Sequence, residues 1–90
     1  MRLDKYLKVS RLIKRRTVAN DAASAGRVLI NGKEAKPAKD VKVGDIIELE
    51  FGSRKVTAEV LNLNEHTRKE DAAFMYKILS EEKIERKQTE

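Results

Sequence analysis

Apolar residues near the start of the chain recur at the spacing of a helix. Leu3, Tyr6 and Leu7 stand at positions i, i+3 and i+4, which places them on one face of a predicted helix over residues 2–9. Basic residues occupy the other faces, so this helix is amphipathic. Because Tyr6 shares the apolar face, we expect its ring in the core rather than stacked on an RNA base.

A second helix is predicted after a connector over residues 10–15, in which Leu12 and Ile13 are expected to turn inward. Thr17 can begin this helix, because its hydroxyl can cap free backbone N–H groups. Gly26 can end it, since glycine readily takes the left-handed conformation that follows many helices. The apolar stripe of this helix is small and consists of Val18, Ala22 and Ala25.

The middle of the chain has the two-residue period of β-strands. Asn31-Gly32 follows an apolar run at residues 28–30 and predicts a tight hairpin turn, because both turn residues need a positive φ. Pro37 indicates a loop, and turns are predicted at residues 43–45 and 52–53. Two further strands are predicted from alternating apolar residues: Ile47, Leu49 and Phe51 in the first, and Val56, Ala58 and Val60 in the second.

The last part of the chain, residues 70–84, is predicted to form a helix with Ala72, Tyr76 and Leu79 on one stripe. We expect Tyr76 and Leu79 to pack on the sheet. The predicted fold class is α+β, with two N-terminal helices packed on a small twisted antiparallel sheet, plus a C-terminal helix. A chain of 90 residues makes one compact unit. In it, residues 1–52 form a first domain, and residues 53–90 add a strand and the C-terminal helix.

Positive charge is concentrated in the first half of the chain. The chain has 20 Lys and Arg against 15 Asp and Glu, a net charge of +5. Residues 1–45 hold 12 basic and 5 acidic residues, whereas residues 46–90 hold 8 and 10. Such asymmetry indicates that the first half binds a polyanion such as nucleic acid. The alternative is a basic face that is merely solvated.

Residue types that carry catalysis or bind metals are scarce. The chain has no cysteine, which excludes disulfides and thiolate metal sites. His66 stands alone, without the second His or Cys that a zinc site needs. The sequence has no nucleophile elbow and no phosphate loop. We therefore expect no enzyme activity, no cofactor and no metal. No apolar run approaches the ~20 residues of a membrane span, so we expect a cytoplasmic protein with no membrane partner.

The opening stretch RLDKYLKVSRLIKRR contains the main candidates for nucleic-acid binding, because Lys and Arg meet phosphate oxygens and release counterions. Arg15 and Arg16 stand at the predicted start of the second helix, where free backbone N–H groups favour an anion. Asp4 can pair with Lys8 one turn on, which would give it a structural role. A second basic group, Lys33, Lys36 and Lys39, lies beside the hairpin and can line a groove or an ordinary solvated loop.

Four motifs follow one another over residues 2–50: RLDKYL, the helix start Arg16-Thr17-Val18-Ala19, GRVLING and KPAKDVKVGD. In this order and spacing they resemble the S4-type RNA-binding domain, in which two helices and the following hairpin form one RNA-binding surface. With RLIKRR, NGKEAKPAK and the later EDAAFMYKIL, the chain is also similar to two families. These are the RqcP-type ribosome-quality-control factors and their small ribosome-associated heat-shock relatives.

This resemblance implies a noncatalytic factor that binds rRNA and peptidyl-tRNA on a stalled large ribosomal subunit. With the partner RqcH it would support alanine tailing of the nascent chain. Arg2 and Asp4 match the RLD positions, Arg16 matches the arginine that opens the second helix, and Arg15 replaces the usual small capping residue. The predicted RNA-binding residues are Arg2, Lys5, Lys8, Arg11, Lys14, Arg15, Arg16, Lys33 and Lys36. For Arg2 and Arg16 the alternative is a surface ion pair.

Two other functions remain open at the level of the sequence. One is a heat-shock-type factor that recycles free large subunits carrying nascent chains. The other is a protein-interaction module that docks a partner through its acidic second half and binds no RNA. In each case we expect a monomer.

Overall fold

The computed structural model describes residues 1–51, 53–65 and 68–83. The strands form one antiparallel sheet in the order β2-β1-β3-β4-β5. None of the helices in these ranges has the length and apolar character needed to span a bilayer. The elements, in chain order, are α1 (Leu3–Val9), α2 (Arg16–Ser24), β1 (Val28–Ile30), β2 (Lys33–Glu34), β3 (Ile46–Phe51), β4 (Arg54–Val60), a 3-10 helix (Lys69–Phe74) and β5 (Tyr76–Lys83).

The predicted apolar face of α1 lies in the core. Leu3, Tyr6 and Leu7 are fully buried, and α1 packs against α2, which in turn contacts β1. Ile13 is buried and Leu12 packs against the core from the connector, as predicted. The stripe of α2 differs from the prediction at one end, because Ala25 is exposed. The small residues that α2 buries are Ala19, Ala22 and Ala23.

Of the two predictions for the ends of α2, one is wrong and one is confirmed. Thr17 was predicted as the cap, and this is wrong: the N–H of Ala19 donates to the carbonyl of Arg15, so Thr17 already lies inside the first turn. Gly26 ends the helix as predicted, with a φ of 76°. Its N–H donates to Ala23, and the next N–H donates to Ala22, the pattern of a Schellman motif.

The hairpin predicted at Asn31-Gly32 is present. The two residues have φ values of 52° and 82°, and they join β1 to β2 with Ile30 paired to Lys33. The side-chain carbonyl of Asn31 accepts from the Ile46 N–H at 3.0 Å. Its amide group donates to Asp45 at 3.1 Å, which ties the hairpin to the predicted turn at residues 43–45. In β3 and β4, Ile47, Leu49, Ala58 and Val60 are buried as predicted, whereas Val56 is only half-buried. The side chain of Phe51 lies outside the described part of the chain.

The predicted C-terminal helix is wrong. Within residues 70–83, the chain first forms the 3-10 helix and then β5, which pairs with β4 from Arg54↔Lys83 to Val60↔Tyr76. The helical spacing of three apolar residues is a local signal. The backbone groups along the free edge of β4 offer a long-range alternative, and strand preference depends on such partners. Tyr76 packs against the core as expected, but Leu79 is 46% exposed.

Tyr6 ties α1 to the chain segment that precedes β5. Its hydroxyl donates to the carbonyl oxygen of Met75 at 2.7 Å, and the N–H of Leu61 donates to the same oxygen at 2.8 Å. Burial, reinforced by nearby Tyr76, raises the pKa of the Tyr6 phenol well above its ordinary value. Tyr6 is therefore a neutral core residue and hydrogen-bond donor, as its position on the helix predicted.

Candidate nucleic-acid interface

A buried carboxylate links the starts of the two helices. Only 3% of the Asp4 side chain is exposed, and its oxygens accept from Arg2 Nε at 3.2 Å and from Arg16 Nη2 at 3.4 Å. Asn20 Nδ2 donates to it at 3.3 Å, and the backbone N–H of Lys5 at 2.8 Å. We call Asp4, Arg2, Arg16 and Asn20 the Asp4 cluster. Asp4 thus has the predicted structural role, with partners other than Lys8.

Asp4 positions the two arginines of the Asp4 cluster but leaves about half of each side chain exposed. Their side chains remain 52% (Arg2) and 48% (Arg16) exposed, so part of each guanidinium faces solvent. Arg2 and Arg16 do form surface ion pairs, the predicted alternative. Because a guanidinium has five N–H donors, one carboxylate partner leaves donors available for a second anion. An ion pair with Asp4 and a contact with phosphate are therefore compatible.

The pH dependence of stability should report on the Asp4 cluster. Burial alone would raise the pKa of Asp4, but hydrogen bonds from Asn20, the Lys5 N–H and Arg16 outweigh it and lower the pKa below the ordinary 3.8. The Asp4 carboxylate is therefore protonated more readily in the unfolded chain than in the folded one. Ionised Asp4 stabilises the fold above about pH 4, and this contribution is lost as pH falls through the folded pKa. We expect Asp4→Asn to lose less stability than the wild type between pH 5 and pH 3 in denaturant titrations.

An exposed carboxyl provides the control for that measurement. Asp71 lies in the 3-10 helix, outside the Asp4 cluster, and is exposed. The Asp71→Asn variant should lose as much stability as the wild type when the pH falls from 5 to 3. If Asp4→Asn and the wild type lose stability in parallel on acidification, then the Asp4 carboxylate does not stabilise the fold through these bonds.

The N-terminus of α2 presents backbone donors beside Arg16. The N-cap is Arg15, an exposed residue, and no side chain caps the first turn. The first N–H groups of a helix without a cap are free to bind an anion, which the helix dipole also favours. Arg16 is the first residue of this helix, so its guanidinium and these N–H groups lie at the same end of α2.

The loop that follows β2 packs against the start of α1. The N–H groups of Leu3 and Asp4 donate to the carbonyls of Lys39 and Pro37, at 2.8 and 3.1 Å, which satisfies two amides of the α1 N-terminus. The chain's terminal ammonium pairs with Asp40 at 2.9 Å, and this contact lowers the pKa of the Asp40 carboxyl. The loop that carries Lys36 and Lys39 is thereby fixed next to Arg2.

A broad open groove lies where the end of α1 and the connector meet Glu65, Arg68 and Lys69. Its volume is about 770 Å³. Lys5, partly buried, forms an ion pair with Glu65, which links Glu65 to α1. We call this feature the connector groove; its lining residues are Lys8, Val9, Arg11, Lys14, Glu65, Arg68 and Lys69.

The predicted RNA-binding residues fall into three groups. Arg2 and Arg16 meet at Asp4, and Arg15 directly precedes Arg16 in the chain. Lys8, Arg11 and Lys14 line the connector groove, while Lys5 is paired at its side. A second groove, about 710 Å³, contains Lys33 and Lys36 together with Lys39 and Lys42; acidic Glu34, Asp40 and Asp45 line it as well. Lysines and carboxylates are thus mixed in this second groove.

Sequence reasoning missed Arg68 and Lys69. They belong to the acidic half of the chain, and only the fold brings them to the basic connector. No charge pattern within residues 46–90 could identify them, because the contact is long-range.

In the ranges that the structure describes, no three His, Cys, Asp or Glu side chains are grouped so as to hold a metal ion. His66 lies outside those ranges.

Comparison with known proteins gives a consistent result. The family model described as "S4 domain" matches residues 1–47. The chain is 57% identical to the "RQC P-site tRNA stabilizing factor" of Bacillus subtilis, over 93% of this chain and 98% of that protein. It is 54% identical to the protein of the same name in Streptococcus pneumoniae, over 94% and 97%. The trimeric structure of Vibrio cholerae Heat Shock Protein 15 superposes with a TM-score of 0.83 at 32% identity, covering 89% of this chain and 82% of that one.

Proposed function

Because the chain belongs to the S4 domain family, we propose that it is a noncatalytic RNA-binding factor of ribosome-associated quality control in the cytoplasm. In this proposal it binds rRNA and peptidyl-tRNA on stalled large ribosomal subunits; its relatives carry the name "RQC P-site tRNA stabilizing factor". It then supports the RqcH-dependent addition of alanine tails to the nascent chain, and it acts as a monomer.

The Asp4 cluster is the observation that carries this proposal. A buried carboxylate holds two half-exposed guanidinium groups at the open N-terminus of α2. Paired N–H donors on arginine match phosphate oxygens in geometry and charge, and free helix N–H groups add to the same attraction. Such an arrangement suits binding of an RNA backbone, which requires neither an acid–base pair nor a nucleophile. The chain therefore acts by holding RNA in place.

A role in stabilising tRNA fits a small protein whose exposed arginines are held in place by a buried carboxylate. An RNA contact through phosphates positions the partner without reading its sequence. Peptidyl-tRNA on a separated large subunit lacks the contacts that the small subunit would supply, so a protein that adds a few phosphate contacts can lengthen its residence. Tail synthesis by RqcH would then have time to proceed.

The salt dependence of binding tests whether RNA phosphates are the partner. If about four phosphates are neutralised, log K should fall against log salt with a slope of about −3 to −4, at ~0.7–0.9 per contact. The measurement is a titration with purified large ribosomal subunits at several potassium chloride concentrations. A slope near zero would reject an RNA-binding function and favour a protein-interaction module.

A heat-shock-type factor is the second candidate, and the superposition with Heat Shock Protein 15 favours it. It would bind the same particle and recycle large subunits with nascent chains, without RqcH. Deleting the gene separates the two functions: loss of alanine tails in otherwise normal cells supports the quality-control function. Tails at the wild-type level, together with accumulation of free large subunits, support recycling.

A further inference from the structure

We propose that the connector groove is a second RNA-backbone site, completed by Arg68 and Lys69 from outside the residues that match the S4 domain. The inference rests on the RNA-binding function proposed above and extends it to residues that the S4 match does not include. Its ligand is a run of phosphodiester groups that continues from the Asp4 cluster.

The charge of the groove is the first observation. Among the described residues, five cationic side chains and the carboxylate of Glu65 line it. Lys8, Arg11, Lys14, Arg68 and Lys69 are all exposed. Among the described residues none of the five forms an ion pair, whereas Lys5 next to them is paired with Glu65. Concentrating like charges costs stability in the free protein, and a bound polyanion would offset that cost.

The backbone at Arg11 is the second observation. Arg11 has a φ of 63°, so it occupies the left-handed region that strains every residue with a Cβ. It follows the C-cap Ser10 of α1, the position at which helices usually place glycine. An arginine occupies this strained position, and its side chain lines the groove. Strained residues of this kind concentrate at functional sites.

The position of Arg68 and Lys69 at the start of the 3-10 helix is the third observation. The N–H of Asp71 donates to the Arg68 carbonyl at 2.9 Å. Met75, the C-cap of this helix, is buried, and its carbonyl accepts from the N–H groups of Leu61 and Asn62. The backbone of Arg68 and Lys69 is therefore held by the folded chain before any ligand arrives. Such preorganisation lowers the entropy lost on binding.

The shape and lining of the groove select the chemistry of the ligand. It is open and about 770 Å³ in volume, larger than a single phosphate group needs, and Val9 is the one apolar residue among the described residues that line it. An apolar peptide or a stacked base would require more apolar lining. A strand of phosphates along exposed cations fits, and Lys14 precedes Arg15 and Arg16 directly in the chain. An RNA backbone bound at Arg16 can therefore continue along the connector.

Arg11→Gly gives the sharpest test, because the proposal predicts opposite effects on stability and binding. Glycine relieves the strain at φ 63°, so the variant should melt about 3–6 °C higher than the wild type. It also removes one phosphate contact, so the slope of log K against log salt for purified large subunits should become shallower by about 0.7–0.9. Arg68→Ala/Lys69→Ala should make the slope shallower by about 1.5–1.8.

Two further variants complete the test. Glu65→Gln removes the Glu65 carboxylate from the groove and frees Lys5, so it should tighten subunit binding by about 2- to 5-fold. Arg54→Ala/Lys77→Ala removes the same charge from β4 and β5, away from the groove, and is the matched control for the double variant.

The outcomes separate this inference from the proposed function. If the wild type retains a steep slope and both groove variants match the control, the groove is not an RNA site, although the proposed function stands. If the wild type itself has no salt dependence, the proposed function fails and the inference fails with it. Unchanged subunit binding with loss of binding to a polyglutamate peptide would assign the groove to an acidic protein and overturn the RNA assignment.

Discussion

Replacing Arg16 with alanine is expected to weaken binding to purified large ribosomal subunits by roughly 1.5–3 kcal/mol, about 10- to 150-fold, the range for a hydrogen bond to a charged group. The side chain is 48% exposed and held by Asp4 at 3.4 Å, beside the free N–H groups of α2. Its guanidinium can therefore meet a phosphate with two parallel hydrogen bonds. Equilibrium binding at one fixed salt concentration measures the loss.

The same substitution should leave the fold nearly intact. Asp4 keeps its bonds to Arg2, Asn20 and the Lys5 N–H when Arg16 is removed. Partly exposed ion pairs contribute little, so we expect a stability loss below about 1 kcal/mol. Arg16→Lys keeps the charge and loses the paired donors, and should recover only part of the affinity.

Arg54→Ala is the matched control for Arg16→Ala. Arg54 begins β4 and pairs with Glu81 at 3.4 Å, with 69% of its side chain exposed. The variant should bind large subunits almost normally. Equal affinities for the two folded variants would mean that the RNA-binding surface lies elsewhere. An unfolded Arg16→Ala protein would make Arg16 a structural residue.

Replacing Leu7 with alanine is expected to destabilise the fold by about 2.7–5 kcal/mol, the range for leucines in well-packed cores. Leu7 is fully buried on the apolar face of α1, and α1 packs against α2. A domain of this size has a total stability of only about 5–10 kcal/mol. The variant should therefore unfold at a much lower denaturant concentration than the wild type, as measured by circular dichroism in urea.

Leu79→Ala is the control for that experiment, because it makes the same chemical change at a site that is 46% exposed. Its cost should stay below about 1 kcal/mol, since a half-exposed side chain loses fewer buried contacts. If Leu79→Ala destabilised the fold as much as Leu7→Ala, then residues 76–83 would pack as the sequence pattern predicts rather than as β5. A helix there would bury Leu79.

Local signals explain what could be predicted from the sequence. The spacing of Leu3, Tyr6 and Leu7 defines α1, and Asn31-Gly32 defines the first hairpin, because both depend on neighbours along the chain. The glycine stop at Gly26 is local in the same way. The basic character of the first half also required no knowledge of the fold.

Long-range contacts explain what could not be predicted. β5 exists because β4 offers an unpaired edge, and no periodicity within residues 70–84 contains that information. Asp4 bonds across to α2 at Arg16 and Asn20, rather than along α1 to Lys8. Arg68 and Lys69 reach the connector only through the folded chain. Each of these contacts joins segments that are distant in sequence.

Sucrose-gradient fractionation of a lysate from cells with stalled translation tests the central claim most directly. The claim is that this chain binds RNA on large ribosomal subunits that still carry peptidyl-tRNA. We expect the wild-type protein to sediment with the large subunit, and crosslinking to recover large-subunit rRNA and tRNA with it. Arg16→Ala should shift the protein to lighter fractions. Recovery of the wild-type protein in a light fraction free of RNA would contradict the account.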